Sequence, residues 1–416
     1  MQTLVVRGGK PLCGTICVHG AKNGVLPLLA ATLLGNGPSE LSDCPEITDV
    51  LRAAEILRCL GCAVCREGNT IRVDATKACG VCIPPELSGS MRGSVMFLGA
   101  LLARHGCAEL SAPGGCVLGE RPIDFHIRAL EVLGVHTESE GSVLRFRWPK
   151  RHGGVITLPF PSVGATENLM LAAMGVSEPV VICGAAREPE VAELGRFLRA
   201  MGAEVEGEGG SVITLCGGKP LRGTDRRVLP DRIETATYLS MTAACGGDIC
   251  LKNTDPELLR PVLDVLEKAG CMIFCEGSEI RLQSDGDLCG VGLVRAETYP
   301  GFPTDAQAPV TAALLRAQGR SEIEDTVFPC RFRHIAELRK FGANIQTDNA
   351  RAVICGVRAL HGATATATDL RGGAGVLIAA LAAEGESRIM HAELLLRGYA
   401  ALDTSLQKLG AEVRFA

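Results

Sequence analysis

The sequence predicts an α/β chain of two similar domains, built from six repeats of the order β-α-β-α-β-β. Two observations carry this. Six glycines, Gly61, Gly134, Gly202, Gly270, Gly342 and Gly410, recur 68–73 residues apart, each closing a helical pattern of the Leu-Gly type and opening a strand pattern. The flanks repeat as well: Leu60-Gly-Cys-Ala-Val, Met201-Gly-Ala-Glu-Val, Phe341-Gly-Ala-Asn-Ile and Leu409-Gly-Ala-Glu-Val. Such a period is too long for the common helical solenoids, whose repeats span about 20–50 residues. Each unit is therefore a small α/β module of its own.

Within a unit the elements follow in a fixed order. A short turn leads into an Ala-rich helix, at 24–34, 93–103, 166–174, 235–244, 306–317 and 372–383. These stretches are apolar all round, so they belong in the interior. A strand comes next, as at 108–111 or 321–324. A second, amphipathic helix ends at the repeat glycine, which takes the position just past a helix stop. Two strands then make a hairpin, as at 62–66 and 70–73 around Glu67-Gly68-Asn69. Three repeats make one domain of residues 22–229, and three more, with residues 1–21, make a second of 230–416. The strand before Ala21 either joins the last unit's sheet or crosses between domains.

Composition narrows the function. Aromatics are scarce, 4% of the chain, so the interior is filled by Ala, Leu, Val, Ile and Cys. A formal charge of −5 with no basic tract argues against nucleic acid or a membrane surface as partner. The N-terminus reads as a strand rather than a signal peptide, and the apolar run at 372–383 is too short to span a bilayer. The expectation is a cytoplasmic protein, whose 19 cysteines stay reduced. Cys59, Cys62, Cys65, Cys79 and Cys82 have a spacing that zinc sites use. Cys62, however, occupies the slot of Val135, Ala203, Cys271, Ala343 and Ala411 in sister units. It reads as a small core residue, and no metal is expected.

Two features point to chemistry. The first apolar helices start at equivalent positions Lys22, Arg92, Gly164, Arg232, Asp305 and Arg371, five of them charged. A basic residue opposes the positive end of the helix dipole, but helix N-termini with Lys and Arg make an anion site. With the helices parallel in each domain, the starts share a face, and two such faces would form a cation-rich cleft. The second feature is a longer loop. From strand start to repeat glycine, units one and three span 22 residues and unit five 21, but unit two spans 26. The excess lies around Pro113-Gly-Gly-Cys116, where glycines and nearby Arg121 suit a reactive thiol as nucleophile or proton donor.

The residues at these features resemble a known family. Gly20-Ala-Lys22-Asn23, Pro113-Gly-Gly-Cys116 with Gly119-Glu-Arg121-Pro-Ile-Asp124-Phe-His126, Ser162-Val-Gly-Ala-Thr166, Ala186-Arg-Glu188-Pro-Glu190 and Pro230-Asp-Arg-Ile-Glu-Thr235 stand in order. Gly301-Phe-Pro-Thr-Asp305, Val327-Phe328, Arg331-Phe332, Asp369-Leu-Arg371 and Arg397-Gly398-Tyr399 complete the set. Together they resemble the UDP-N-acetylglucosamine 1-carboxyvinyltransferases, enolpyruvyl transferases of bacterial peptidoglycan synthesis. The resemblance covers essentially the whole chain and implies a two-domain inside-out α/β barrel.

The same resemblance implies the roles. The enolpyruvyl group of phosphoenolpyruvate would pass to the 3′-hydroxyl of UDP-N-acetylglucosamine, releasing phosphate. Cys116, Asp305, Lys22 and Arg397 would be catalytic: Cys116 as proton donor to C3 and adduct-forming thiol, Asp305 as base for the hydroxyl. Phosphoenolpyruvate would be held by Lys22, Asn23, Arg92, Arg121, Arg331, Arg371 and Arg397. The nucleotide-sugar would meet Asn23, Arg92, Arg121, Pro122, Ile123, Asp124, Phe125, Ser162, Val163, Gly164, Asp305 and Val327. Neither a metal nor an organic cofactor is implied. Two positions depart from the family: Phe160, where some members carry Lys, and Leu396, where an acid often precedes the Arg-Gly-Tyr.

Two alternatives follow from the same residues. The shikimate-pathway enolpyruvyl transferase, which acts on shikimate 3-phosphate, shares the fold and the cationic residues but lacks this Gly-Gly-Cys loop. A non-catalytic homologue that binds nucleotide-sugar would not need Lys22, Cys116, Asp305, Arg331, Arg371 and Arg397 together.

Overall fold

A computed structural model describes residues 2–89, 91–111, 123–348 and 350–416, Arg92 by its backbone alone. The Cys116 loop, with Arg121 and Pro122, lies outside the described residues. Those that are described fall into two compact units: residues 2–19 with 230–416, and residues 20–111 with 123–229.

Each repeat glycine ends the second helix of its unit with the backbone turned left-handed, at φ between 90° and 110° in all six. At Gly202, Gly270 and Gly410 an added Cβ would meet nothing within 4 Å. Space is therefore not the reason for glycine there. The backbone angle is, because it costs an L-residue about 1–2 kcal/mol. Short hairpins follow, for example Ala63–Glu67 with Thr70–Asp74, paired from Ala63↔Asp74 to Glu67↔Thr70.

The Ala-rich helices are buried, as their composition predicts. They run Lys22–Thr32, Phe97–His105, Val163–Ala173, Arg232–Cys245, Gln307–Ala313 and Leu370–Ala382. In repeats two and five a 3-10 turn precedes the helix, at Arg92–Met96 and Thr304–Ala306. Small residues let these helices approach closely: a Cβ on Gly99 would stand 2.2 Å from the carbonyl oxygen of Asn168. In each unit three inner helices are thus wrapped by three sheets, helices inside and strands outside. The sheets' outer faces carry cross-strand ion pairs such as Arg72–Glu40 at 2.6 Å and Arg281–Asp248 at 2.6 Å. Exposed pairs of this kind contribute at most about 1 kcal/mol each.

Among the described residues, six four-stranded sheets share one plan, and a short parallel pair, Gly35–Asn36 with Leu221–Arg222, stands beside them. An outer strand runs parallel to the central one, and the hairpin follows antiparallel. The chain ends are used to complete this plan. Thr3–Arg7 takes the second hairpin position in the sixth repeat, pairing with both Glu386–Met390 and Glu412–Phe415. Leu12–Cys17 is the parallel outer strand of the fourth repeat, beside Gly247–Lys252. Asp225–Arg227 fills the same place in the first, beside Pro38–Ser42. Each of these outer strands precedes, in sequence, the inner helix of a repeat in the other unit. The strand before Ala21 is in fact two, and they serve different sheets.

Candidate functional site

The six equivalent helix-start positions fall at the first or second residue of their helices. In the 20–229 unit, Lys22 opens its helix, and its ammonium lies 2.7 Å from the carboxylate of Asp49. Asp49 is buried and sits in the first turn of the helix Thr48–Cys59. Its charge complements two things at once: the positive helix end beneath it and the Lys22 ammonium. Asn23 follows, half-buried.

Ser162 caps the third inner helix, its Oγ accepting from the Ala165 amide at 3.4 Å. Val163 and Gly164 form the first turn, and a Cβ on Gly164 would press on the ring of His126 at 3.1 Å. That ring meets the Asn168 amide nitrogen at 3.0 Å, while Asn168 Oδ1 accepts from the Gly99 amide at 2.8 Å. Asn168 thus ties the start of one inner helix to the body of the next. Ile123 is buried just before the helix Asp124–Val132, which Asp124 and Phe125 open half-buried. Nearby, Glu167 is buried. Loss of water, then the neighbouring Glu190 and Glu188 carboxylates, push its carboxyl well above the usual range.

In the other unit a single carboxylate organises the site. Asp305, in the turn Thr304–Ala306, holds Arg331 through one oxygen at 2.7 Å and Arg371 through the other at 3.1 Å. Both arginines are buried, at 6% and 3% exposure, whereas the Asp305 side chain is 23% exposed. Arg371 also donates to the Tyr399 hydroxyl at 3.2 Å, and that hydroxyl meets Thr237 Oγ at 3.0 Å. Tyr399 is thereby anchored two residues beyond Arg397, which ends the 3-10 turn Ala392–Arg397. Asp369 caps the Arg371 helix, accepting from the amides of Arg371 and Gly372 at 3.0 Å each. Asp231 caps the Arg232 helix in the same way, at 2.8 and 2.9 Å. Arg232 itself lies over the Tyr299 ring, 5.7 Å from its centroid.

The sequence reading separated Asp305, as base, from Arg331 and Arg371, as carriers of a substrate carboxylate. The structure joins all three in one ion-paired cluster. It also adds residues that the reading missed. Asp325 is fully buried and takes Thr304 Oγ at 2.5 Å and the amides of Val327 and Phe328 at 3.0 and 2.8 Å. Burial pushes its carboxyl up. His334 is buried beside Arg331 and Asp369, and burial brings its imidazole down to about 4. Asp49 was equally unmarked, though an acid in the first turn of a helix is a readable signal.

Cys62 is buried, and its thiol is pushed up to about 11 by loss of water, whereas Cys59, Cys65, Cys79 and Cys82 are exposed. Among the described residues, no group of three or more His, Cys, Asp or Glu side chains is arranged to hold a metal ion. No helix among them is long and apolar enough to cross a membrane.

Residues 6–406 match the family model described as EPSP synthase (3-phosphoshikimate 1-carboxyvinyltransferase). The chain is 40% identical to UDP-N-acetylglucosamine 1-carboxyvinyltransferase 2 of Clostridium acetobutylicum, covering 100% of this chain and 99% of that protein. It is 41% identical to UDP-N-acetylglucosamine 1-carboxyvinyltransferase of Halorhodospira halophila, with the same coverage. Among solved structures, the enolpyruvyl transferase NikO from Streptomyces tendae superimposes with a TM-score of 0.91 at 25% identity, over 100% of this chain and 99% of NikO. EPSP synthase from Acinetobacter baumannii superimposes at 0.75 with 18% identity, over the full length of both chains, a likeness of fold.

Proposed function

This chain belongs to the enolpyruvyl transferase family, among the UDP-N-acetylglucosamine 1-carboxyvinyltransferases, and from that premise we infer what it does. It is a transferase that moves the enolpyruvyl group of phosphoenolpyruvate to the 3′-hydroxyl of UDP-N-acetylglucosamine and releases phosphate, the entry to peptidoglycan synthesis. The observation that carries this is identity of about 40% over the whole length to proteins of that name. The shikimate-pathway reading rests on the shared family model and a fold likeness at 18% identity, and so has less behind it. The cytoplasm, where its many cysteines would stay reduced, is the location that fits.

The roles we propose follow the chemistry of the residues. Phosphoenolpyruvate brings a phosphate and a carboxylate, and guanidiniums recognise both through charge-assisted hydrogen bonds. Lys22, Arg92, Arg121 and Arg397 take the phosphate; Arg331 and Arg371 take the carboxylate. The Cys116 thiol protonates C3, C2 becomes electrophilic, and the sugar oxygen bonds to C2 as Asp305 accepts its proton. Loss of a C3 proton and of phosphate from the tetrahedral ketal restores the double bond. Asp305 is held by the same two arginines. A substrate carboxylate that engages them competes with Asp305 and releases it to act as base.

A phosphate-release assay tests the function. Turnover is expected with UDP-N-acetylglucosamine and phosphoenolpyruvate, and none with shikimate 3-phosphate; the reverse pattern would refute the reading. In the same assay Cys116→Ser should lose about 10²-fold or more. The epoxide fosfomycin should label Cys116 alone, as read by mass spectrometry.

A further inference from the structure

The repeats allow one position to be compared across the molecule. At the end of the central strand in five repeats, a buried residue donates its backbone amide to the end of the following hairpin, which in the sixth repeat is the chain start. Cys44 donates to the Asn69 carbonyl at 2.7 Å, Ala185 to Ser211 at 3.0 Å, Thr254 to Ser278 at 2.9 Å, and Ala392 to Gln2 at 3.0 Å. In the fifth repeat the same bond runs from Asp325 to Ala350 at 2.8 Å. All five residues are at most 4% exposed. Among the five repeats whose strand end is described, four fill this slot with a small uncharged side chain, and one fills it with a carboxylate. Folding the repeat does not require a charge here, since four sister repeats manage without it. A buried carboxylate is costly unless it is satisfied, so its presence calls for another reason.

The hydrogen bonds supply one. Asp325 Oδ2 accepts from Thr304 Oγ at 2.5 Å. With its proton committed there, Thr304 Oγ presents a lone pair outward and accepts from Arg331 at 3.1 Å. The same Arg331 nitrogen reaches Asp305 at 2.7 Å. Asp325 Oδ1 meanwhile fixes the amides of Val327 and Phe328, and the Phe328 carbonyl accepts the Arg331 amide at 3.0 Å. One carboxylate therefore sets both the side-chain direction and the backbone of Arg331, and the turn that carries Asp305.

We propose that Asp325 is a positioning residue for the transfer reaction, acting through the Thr304 hydroxyl to hold Arg331 and Asp305 in working register. It touches no substrate itself. The proposal rests on the reading of Arg331 and Asp305 as substrate-facing groups.

The test uses the full-length enzyme and the phosphate-release assay. Asp325→Asn puts an amide donor where Thr304 needs an acceptor. Thr304→Val removes the hydroxyl at similar volume, and Thr304→Ser retains it. Asp325→Asn and Thr304→Val should each lower kcat by about 10–100-fold and raise KM for phosphoenolpyruvate; in Thr304→Val, which leaves the Val327 amide bonded to Asp325, KM for UDP-N-acetylglucosamine should stay within about threefold of the parent. The double variant should be no worse than the poorer single variant, because both break one relay. Thr304→Ser should stay within about threefold of the parent. Full activity in Thr304→Val, additive losses in the double variant, or failure of Thr304→Ser to rescue would each overturn the proposal. If Asp325→Asn does not fold, the Thr304 pair decides alone. Asp305→Ala and Arg331→Ala separate the two levels. Wild-type turnover in these would overturn the reading of the site itself, whereas their collapse beside an active Thr304→Val would overturn only the relay.

Discussion

The two units solve the same electrostatic problem differently. In the 20–229 unit a charge at an inner helix start, Lys22, faces one carboxylate, Asp49, which is itself fully enclosed at 2% exposure. In the other unit the polarity is reversed: one carboxylate, Asp305, serves two arginines and remains 23% exposed. Asp49 is shielded from solvent, so its pairing with Lys22 contributes to holding the unit together. A shared, partly open carboxylate can exchange partners. Loss of Asp49 should therefore show itself first in stability, and loss of Asp305 first in turnover.

The largest expected effects break this comparison directly. Asp305→Asn leaves two guanidiniums, both more buried than the Lys22 ammonium, without the anion that neutralises them, so some stability is lost here as well. Turnover should fall by about 10²–10⁴-fold, because a general base is lost. Asp49→Asn removes the carboxylate facing a nearly buried ammonium, and breaking such a pair costs about 3–5 kcal/mol. Urea unfolding of both variants, with steady-state rates alongside, checks the contrast. A stable Asp49→Asn beside an unstable, active Asp305→Asn would invert it.

How far the sequence went can be judged at particular residues. Hydrophobic runs, the Gly-ending helices and the hairpins were legible, because each depends on local propensity and on a backbone angle that only glycine takes easily. The sixfold period made the α/β repeat architecture readable from one chain. The Asp305–Arg331–Arg371 cluster was legible as residues but not as a cluster, since three segments separated by 26 and 40 positions meet only in the fold. Asp325 was missed although its signal was present: an acid in a slot where sister repeats carry Cys, Ala or Thr. Which sheet the strands at 12–17 and 225–227 join was not legible, because a parallel outer strand carries no mark of its neighbour.

A smaller effect sharpens the comparison through pH. Burial lowers the His334 imidazole from 6.5 to about 4, with Asp369 opposing and Arg331 adding to the shift. The unfolded chain therefore binds a proton that the folded chain refuses. Its contribution is present above pH 6.5 and is lost as pH falls toward 4. Glu167 in the other unit has the opposite sign. Burial raises its carboxyl, so its contribution is present below pH 4.5 and is lost as pH rises through the folded value. Melting temperature against pH should fall less steeply on the acid side in His334→Gln, and less steeply on the alkaline side in Glu167→Gln. If either substitution flattened the other's limb, the assignment of the two groups would be wrong.

The smallest effect concerns the cysteines and separates packing from chemistry within one unit. Cys62 is 7% exposed, follows the left-handed Gly61, and occupies the slot that is Ala203, Ala343 and Ala411 elsewhere. A thiol that behaves as a small hydrophobe should be replaceable by alanine with a loss of about 1 kcal/mol, the transfer energy of roughly one methylene-sized group. Its sisters show that the backbone there accepts alanine without strain. Cys62→Ala should thus keep turnover and unfold at a slightly lower urea midpoint, and treatment of the parent with a zinc chelator should leave that midpoint in place. Cys116→Ser, in contrast, should keep the midpoint and lose turnover. A large chelator-induced shift, or a Cys62→Ala variant that loses activity while remaining folded, would place chemistry where the repeats place only packing.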